Sequence, residues 1–512
     1  MSESEVQRGP TRPLAIIPPS LLTKTTARIK SRCFHVRRGP TYAMGRTSIL
    51  FCLEFGLEYT IILFMLDIKF IRENPGKIKE AVKNKGIDLD IDELLKIDKK
   101  RVSLLQSIEE LQSEKNKLND LMKTANDSKR GKIIEQGKAV KEKLAKIEPE
   151  YKKINHGFEE LMVQVPMVPS PDTPIGKDEN DNVEIYKWGE KPKFDFTPKN
   201  HIELGKNLDI LDLERGAKVG GYRGYYVKNE GVSLMMGFMM YAINKMIERG
   251  YAPMIVPTLV KEFAISGSGW LKGLEYDPEV DEVYEIAPDK NPDGMISKES
   301  KFLVGTAEPS LLAYHAGEVL DEKDLPLRLC GYSQCYRSEI GSYGKDTKGL
   351  YRVHEFMKVE QVILAPTDIE ASNKLQDEMI TISKEMHEEL GLPYHVLQIC
   401  TGDMGTGKYR MFDLEAWMPG LNRWGETGSA SNLLDWQARR LNVKYKDRDG
   451  NKKFVYMLNN TALPSPRIFI SILENYQQKD GSVKIPEVLQ KYMGGIKEIR
   501  KQKNRKTKEQ KN

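Results

Sequence analysis

Cysteine is scarce: there are five in 512 residues, an odd number. That excludes a disulfide-stapled scaffold and fits a reducing compartment. The seven histidines form no ligand cluster. There is no HExxH helix, no G-x-S-x-G turn and no second close pair beside Cys330 and Cys335. Zinc-hydrolase, serine-hydrolase and zinc-ribbon chemistries therefore lack their residues, and no zinc is expected. A dominant charge is missing too, since 79 Lys and Arg oppose 74 Asp and Glu. A net +5 says little about an anionic partner, so the location of the charge matters more than its sum. The one long apolar run, Ile49 to Leu66, is broken by Glu54 and Glu58. Each carboxylate would cost roughly 2.5–3.5 kcal/mol at a bilayer centre, so no stable membrane association is expected. With 39% hydrophobic residues, 22 Tyr and 15 Phe, the chain is neither wholly disordered nor a polytopic membrane protein.

The two ends differ from the middle. Residues 1–48 hold nine basic residues and two acids. Basic then apolar sequence suits a presequence or signal anchor. Plain reading favours a poorly ordered extension over 1–64, with the functional chain starting near Met65. Residues 496–512, with eight basic residues and two acids, read as a solvated basic tail.

Between about 92 and 165 the spacing predicts a helical hairpin. Leu94, Ile97, Leu104, Ile108, Leu111, Leu118 and Met122 follow a 3-4 heptad pattern, which Arg101 and Lys115 interrupt. Ile133, Val140, Leu144, Ile147, Tyr151, Ile154, Phe158, Leu161 and Val165 repeat it, with Gly137 as a gap. A narrow stripe on each arm needs one partner helix, so an antiparallel coiled coil is expected, with a polar turn over Thr124–Gly131. Such a coil serves equally as a spacer, a dimerisation device or an arm for a long polyanion. Pro166, Pro169, Pro171 and Pro174 form a stiff linker, and Gly176–Asn182 marks a boundary.

The rest reads as α+β with a mainly antiparallel sheet. Strands are expected at Met254–Val260, Leu327–Cys330, Glu360–Leu364, His395–Ile399 and Met411–Trp417. Helices are expected at 235–249, 368–390, 429–441 and 468–476. Gly402–Lys408 nearly matches a phosphate-binding P-loop. However, Tyr409 replaces the Ser or Thr that would ligand Mg²⁺, and a strand follows where a helix should start. Tyr336–Glu339 and Tyr351–Phe356, with Lys358 and Glu360, flank a glycine-rich loop at 341–349. Arginine forks for phosphate, an aromatic face for a base and a carboxylate for an amine suit a nucleotide. The same residues suit a salt-bridged surface hairpin. Glu426 and Ser429 offer hard oxygen ligands, or a helix cap at 429. Arg467 falls near the start of an amphipathic helix.

Taken in order, these stretches resemble the seryl-tRNA synthetase family of the bacterial, non-zinc type. The resemblance spans residues 65 to about 495. Met65–Pro75 is similar to the family start, and the hairpin to its tRNA-binding arm. Gly250–Val260, with Pro257, resembles class II motif 1. Thr306-Ala307-Glu308 resembles the serine-binding triplet. Arg337 through Glu360 resembles motif 2, and Arg467 with Ile472–Gln477 resembles motif 3.

The resemblance implies a class II synthetase catalytic domain over 175–495. It also implies an N-terminal tRNA-binding domain over 65–174, carrying the coiled-coil arm. The implied activity is serine–tRNA ligation: serine and ATP give seryl-adenylate and pyrophosphate, and serine then passes to the 3′ end of serine tRNA. Whether selenocysteine tRNA is charged stays open. Thr306, Ala307 and Glu308 would hold the serine ammonium side. Glu360, Asn459 and Thr461 would read its hydroxyl. Arg337 would clamp its carboxylate and the α-phosphate. Arg337, Arg467 and Glu426 would be catalytic. Ser338, Glu339, Val353, His354, Glu355 and Phe356 would line ATP, with Phe356 on adenine. The Glu426-Thr427-Gly428-Ser429 run would bind ATP, Glu426 and Ser429 holding its Mg²⁺. Arg467 would cover the other face of adenine. A cytoplasmic homodimer is implied. The sequence departs from the family at Asn460 and Ala462, where glycines are usual, at Pro309, and at Ser266–Trp270. Three rivals are a ligase of the same fold that charges a carrier protein, a non-enzymatic coiled-coil RNA-binding protein, and a form tethered through residues 49–66. The long arm opposes the first, and the presence of Arg337, Glu426 and Arg467 opposes the second.

Overall fold

The computed structural model describes residues 66–501, apart from 289, 291–293, 298 and 341–347. The expected extension over 1–64, most of the glycine-rich loop at 341–349 and most of the basic tail lie outside the described residues. No described helix is long and apolar enough to cross a membrane.

The chain begins with two short helices, α1 (Ile68–Glu73) and α2 (Pro75–Asn84). Pro75 opens α2 at a position where its missing N–H removes no helical bond. The arm follows as α3 (Ile91–Thr124) and α4 (Asp127–Met162). At 1.5 Å per residue each is roughly 50 Å long. Asp90 caps α3 by accepting from the Asp92 and Glu93 amides, and both acids also suit the positive helix start. The turn is shorter than the sequence suggests. Only Ala125 and Asn126 lie outside helix, because Asn126 and Asp127 restart it at once and Ser128–Gly131 continue in α4.

The heptad seam packs as an antiparallel pair. Ile108, Leu118, Val140 and Leu144 form their own small core along the arm. Nearer the body, Ile91, Leu94, Phe158 and Met162 join the main core instead. The heptad break at Arg101 lies at this root. Its guanidinium sits 4.2 Å over the Phe158 ring and reaches the buried Asp98, which also pairs with Arg72 of α1. A cation on an aromatic face keeps the seam closed there without an aliphatic side chain.

The body is built on eight strands: β1 (Val183–Trp188), β2 (Ala252–Ile255), β3 (Leu327–Tyr336), β4 (Glu355–Ala365), β5 (Tyr394–Gln398), β6 (Arg410–Met418), β7 (Arg423–Asn432) and β8 (Tyr456–Pro464). Their spatial order is β1-β5-β6-β7-β8-β4-β3-β2. Every pair is antiparallel except β2 with β3. The expected α+β class, antiparallel sheet and helical arm are what the chain adopts. Five further helices matter for the site: α5 (His201–Asn207), α6 (Glu230–Glu248), α7 (Ile369–Glu389), α8 (Trp436–Leu441) and α9 (Ser465–Asn475). Leu234, Met235, Phe238 and Met239 of α6, Met379 and Ile382 of α7, and Ile468, Phe469 and Leu473 of α9 join the same buried core as the strands. The helix expected over 429–441 is overturned. Residues 429–432 finish β7, where Ser429 pairs with Asp413 and Ala430 with Asn460, and helix begins only at Trp436.

Candidate active site

The β3–β4 ladder sets the first arginine. Beyond the strand end, the Arg337 amide donates to the His354 carbonyl at 3.0 Å. His354 Nδ1 lies 2.9 Å from the Arg337 carbonyl in return. The Arg337 side chain donates through Nε to the Gly305 carbonyl at 3.2 Å. Its guanidinium lies 5.3 Å from the Trp270 ring and 5.5 Å from the Phe356 ring. Two aromatic faces and a carbonyl thus fix a cation that borders the cavity. The next turn places Glu339 in the left-handed region, φ 55°. Its carboxylate lies 3.2 Å from Arg352 and 3.7 Å from Arg223.

A β-bulge sets the acidic side. Residues three apart on a plain strand face opposite ways. In β7, however, Gly428 pairs with Leu414 and Glu426 with Glu415, leaving Thr427 as an extra residue. The bulge re-phases the strand, so Glu426 and Ser429 both border the cavity with Asp413 and Glu415 of β6. Burial pushes the Asp413 carboxyl well above the usual range, and the Glu426 charge adds to that. Asp413 Oδ1 has no hydrogen-bond partner. Burial would raise Glu426 likewise, but Arg467, then Arg337, hold it below its ordinary value. Arg467 contacts the Glu426 carboxylate and carbonyl, each at 3.0 Å. Its guanidinium also lies 4.6 Å over the Tyr351 ring.

A second bulge, at β4–β8, shapes the far end. Glu360 pairs with Thr461 and Val359 with Leu463, leaving Ala462 as the extra residue. Thr461 lies opposite Glu360 and Asn459 two residues along, so both share the cavity face with Glu360. Lys358 donates to the Thr461 hydroxyl at 3.2 Å and pairs with Glu360 at 2.5 Å. Glu308 accepts from Gln437 and Asn459, both at 2.7 Å. Burial pushes the Glu308 carboxyl up; the Gln437 hydrogen bond opposes this and the charge of Glu360 adds to it. The departures from the family pattern are accommodated. Ala462 and Asn460 are not among the positive-φ residues, so neither position needs glycine's freedom. Asn460 instead donates to the Met379 carbonyl and Ser383 hydroxyl of α7. Pro309 sits in the first turn of a short helix, Glu308–Ala313, where proline is at home.

A buried carboxylate–imidazole hydrogen bond ties these parts together. Glu474 of α9 and His201 of α5 are 0% and 1% exposed and meet at 3.0 Å. Glu474 also accepts from the His201 and Gly420 amides. The other ring nitrogen, His201 Nε2, accepts from the Leu350 amide at 3.1 Å. Leu350 adjoins Tyr351, whose carbonyl accepts from Arg467 Nε. One carboxylate therefore links the helix of Arg467, the turn before Glu426 and the end of the 341–349 loop.

Arg337, Glu339, Val353, Phe356, Glu426, Thr427, Gly428, Thr461 and Arg467 border one part of the cavity. Thr306, Glu308, Glu360, Ser429 and Asn459 border its continuation, a space of about 1150 Å³. Ala307, Ser338, His354 and Glu355 are not among the lining residues. Ala307 packs in the core, and the Ser338 amide donates to the Glu282 carbonyl. The Thr427 hydroxyl is committed to the back of the sheet. Burial lowers His387 to about 4, so its ring is neutral, and with Nδ1 on the Ser383 carbonyl its Nε2 accepts from Thr427. Lys358 of the candidate hairpin also lines the cavity, as do Trp270, Lys408, Asp413 and Gln437, to which the sequence assigns no role. Charged Asp413 and Glu415 alternating through an apolar strand were the available signal for the acidic side.

Residues 65–169 match the seryl-tRNA synthetase N-terminal domain, and residues 295–476 match the tRNA synthetase class II core domain (G, H, P, S and T). A serine–tRNA ligase of Treponema denticola is 42% identical over 435 residues, covering 84% of this chain and 99% of its own. One from Deinococcus radiodurans is 40% identical over 431 residues, covering 84% of this chain and 98% of its own. Among solved structures, seryl-tRNA synthetase from Pyrococcus horikoshii complexed with ATP aligns with a TM-score of 0.73 at 36% identity, covering 86% of this chain and all of that one. The chain belongs to the seryl-tRNA synthetase family, class II ligases that charge serine tRNA.

Proposed function

We propose that this cavity activates serine with ATP and that the helical arm presents serine tRNA to it. The observation that carries the reading is convergence. Glu308, Glu360, Arg337, Glu426 and Arg467 come from five separate stretches and border one connected space. Glu308 with Thr306 receives the serine ammonium, and Asn459, Thr461 and Glu360 read the hydroxyl. Hydroxyl-bonding groups left unpaired by alanine make that substrate a poor one. Arg337 holds the serine carboxylate and the α-phosphate, with Phe356 beside it for adenine. Arg467 covers the opposite face.

The serine carboxylate then attacks the α-phosphorus and pyrophosphate leaves. Positioning and charge neutralisation carry most of such a step. The oxygen donors of Glu426 and Ser429, beside the unpartnered Asp413 Oδ1, fit a hard cation such as Mg²⁺ accompanying ATP. When bound, that ion neutralises phosphate charge. The terminal ribose hydroxyl of tRNA next takes the seryl group. Residues 65–174 serve tRNA binding and 175–495 catalysis. The working form is a cytoplasmic homodimer. Support for the dimer comes from Val232, Met236, Met240 and Ile247, exposed along α6, and from Ile255, 89% exposed on edge strand β2.

Serine-dependent ATP–pyrophosphate exchange, followed by charging of serine tRNA, tests the reading. Arg337→Ala should lower exchange by about 10²-fold or more. Exchange at the wild-type rate in that variant would sink the proposed clamp.

A further inference from the structure

The run Gly402–Lys408, which nearly matches a phosphate loop, bears on the cavity in another way. Gly405, Thr406, Gly407 and Lys408 form part of its wall. Gly407 is pressed on the Trp436 ring, which a Cβ there would meet at 2.5 Å. The Lys408 ammonium acts electrostatically on Glu308, Asp413 and Glu426, pulling each carboxyl downward. What fixes this loop from outside is a side chain of the N-terminal helices. Lys85 caps the C-terminus of α2 and is 6% exposed. Its ammonium donates to the carbonyls of Gly405, Thr406 and Lys408, at 3.2, 3.0 and 2.7 Å. No carboxylate accompanies it in those bonds. Two of these carbonyls have a second partner, the Lys408 amide on Gly405 and the Met167 amide on Thr406, and for the Lys408 carbonyl Lys85 is the one recorded donor.

We infer that Lys85 is a positioning residue for serine activation, holding the 405–408 loop so that Lys408 and the Gly407–Trp436 wall close the serine end of the cavity. This makes a residue of the tRNA-binding half part of the activation machinery, even with no tRNA present. Burial and the nearby Lys408 charge lower Lys85 to about 7. Its function is donor geometry. Removing the donors takes a partner from all three carbonyls and leaves that of Lys408 with none, and the loop relaxes to find others.

The test uses the full chain in serine-dependent ATP–pyrophosphate exchange without tRNA. Lys85→Met should raise KM for serine at least fivefold with a smaller change in kcat, while melting within a few degrees of wild type. Lys85→Arg, which keeps donors in place, should recover most of the loss. Lys83→Met, an exposed neighbour on α2, should behave as wild type. Gly407→Ala displaces the same loop from the other side, so its effect combined with Lys85→Met should be less than the two added together. A folded Lys85→Met enzyme with wild-type KM and kcat overturns the inference. So does an equal loss in Lys83→Met, or full additivity in the double variant. Should Lys85→Met not fold, Lys85→Gln is judged by the same criteria. The inference rests on reading the cavity as the serine site. Wild-type exchange in Arg337→Ala would sink that reading, whereas wild-type exchange in Lys85→Met alongside a dead Arg337→Ala sinks only this inference.

Discussion

At the scale of single residues the site is an arrangement of cations held in place and carboxylates pushed apart. Arg337 has its Nε on a carbonyl and two rings beside it, so its orientation is set before substrate arrives. Asp413 and Glu426 are driven in opposite directions, one by burial and repulsion and the other by Arg467 and Arg337 overriding burial. Glu308 has a practical signature. Its carboxyl is pushed up by burial, so it takes a proton at a higher pH than an ordinary glutamate. Only the ionised form attracts the serine ammonium. KM for serine in pyrophosphate exchange should therefore rise as pH falls, before kcat declines. Glu308→Gln should raise KM at neutral pH and flatten this limb; an unchanged pH profile in that variant assigns the limb elsewhere. Arg337, Glu308 and Arg467 were legible through the family motifs that contain them, Arg337 just past the end of β3 and the other two in the first turns of helices. Lys85 was not: it continues the Ile78–Ala81–Val82 stripe, but its partners lie more than 300 residues away in the chain.

Elements were legible in proportion to how local their cause is. The arm follows from a 3-4 spacing that any single helix displays, and it forms as expected. Its turn was overestimated because polar residues after Asn126 read as loop, although helix resumes at Asp127, an acid that suits the positive helix start. The run after Ser429 was misread as helix because pairing with β6 and β8 overrides its local pattern. The bulge at Thr427 explains how Glu426 and Ser429 reach one face at a spacing that suits neither plain strand nor, here, helix. The His201–Glu474 link was hidden by 273 residues of separation. It predicts a coupled loss: Glu474→Ala would strand the buried His201 and Gly420 amides, costing about 3 kcal/mol or more of stability. A denaturant melt reads the stability, and KM for ATP in exchange should rise with it, because Leu350 and α9 lose their common anchor. A stable Glu474→Ala enzyme with normal KM for ATP would contradict this role. In the arm, Leu144→Ala should cost about 2–5 kcal/mol locally. That loss should appear as faster amide exchange within the arm while the body's melting temperature holds.

On the scale of the whole molecule, the chain separates a large apolar core from a thin arm with its own small seam. Ile91, Leu94, Phe158 and the Arg72–Asp98–Arg101 cluster root the arm in the body. In the proposed homodimer the exposed stripe on α6 and Ile255 of β2 would meet the second subunit, so Met240→Asp with Ile255→Asp should yield monomers in sedimentation. Dimers persisting at micromolar concentration would move the interface elsewhere. The central claim is that activation and tRNA reading reside in different parts of one chain. The most direct measurement replaces residues 106–144 with a short glycine turn, leaving Asp98, Arg101 and Phe158 intact, and compares exchange with charging in the same preparation. Serine-dependent pyrophosphate exchange should stay within about twofold of wild type while serine-tRNA charging falls by about 10²-fold or more, a loss of roughly 2.7 kcal/mol in transition-state stabilisation. Charging that survives the shortened arm, or exchange that is lost with it, would contradict the account.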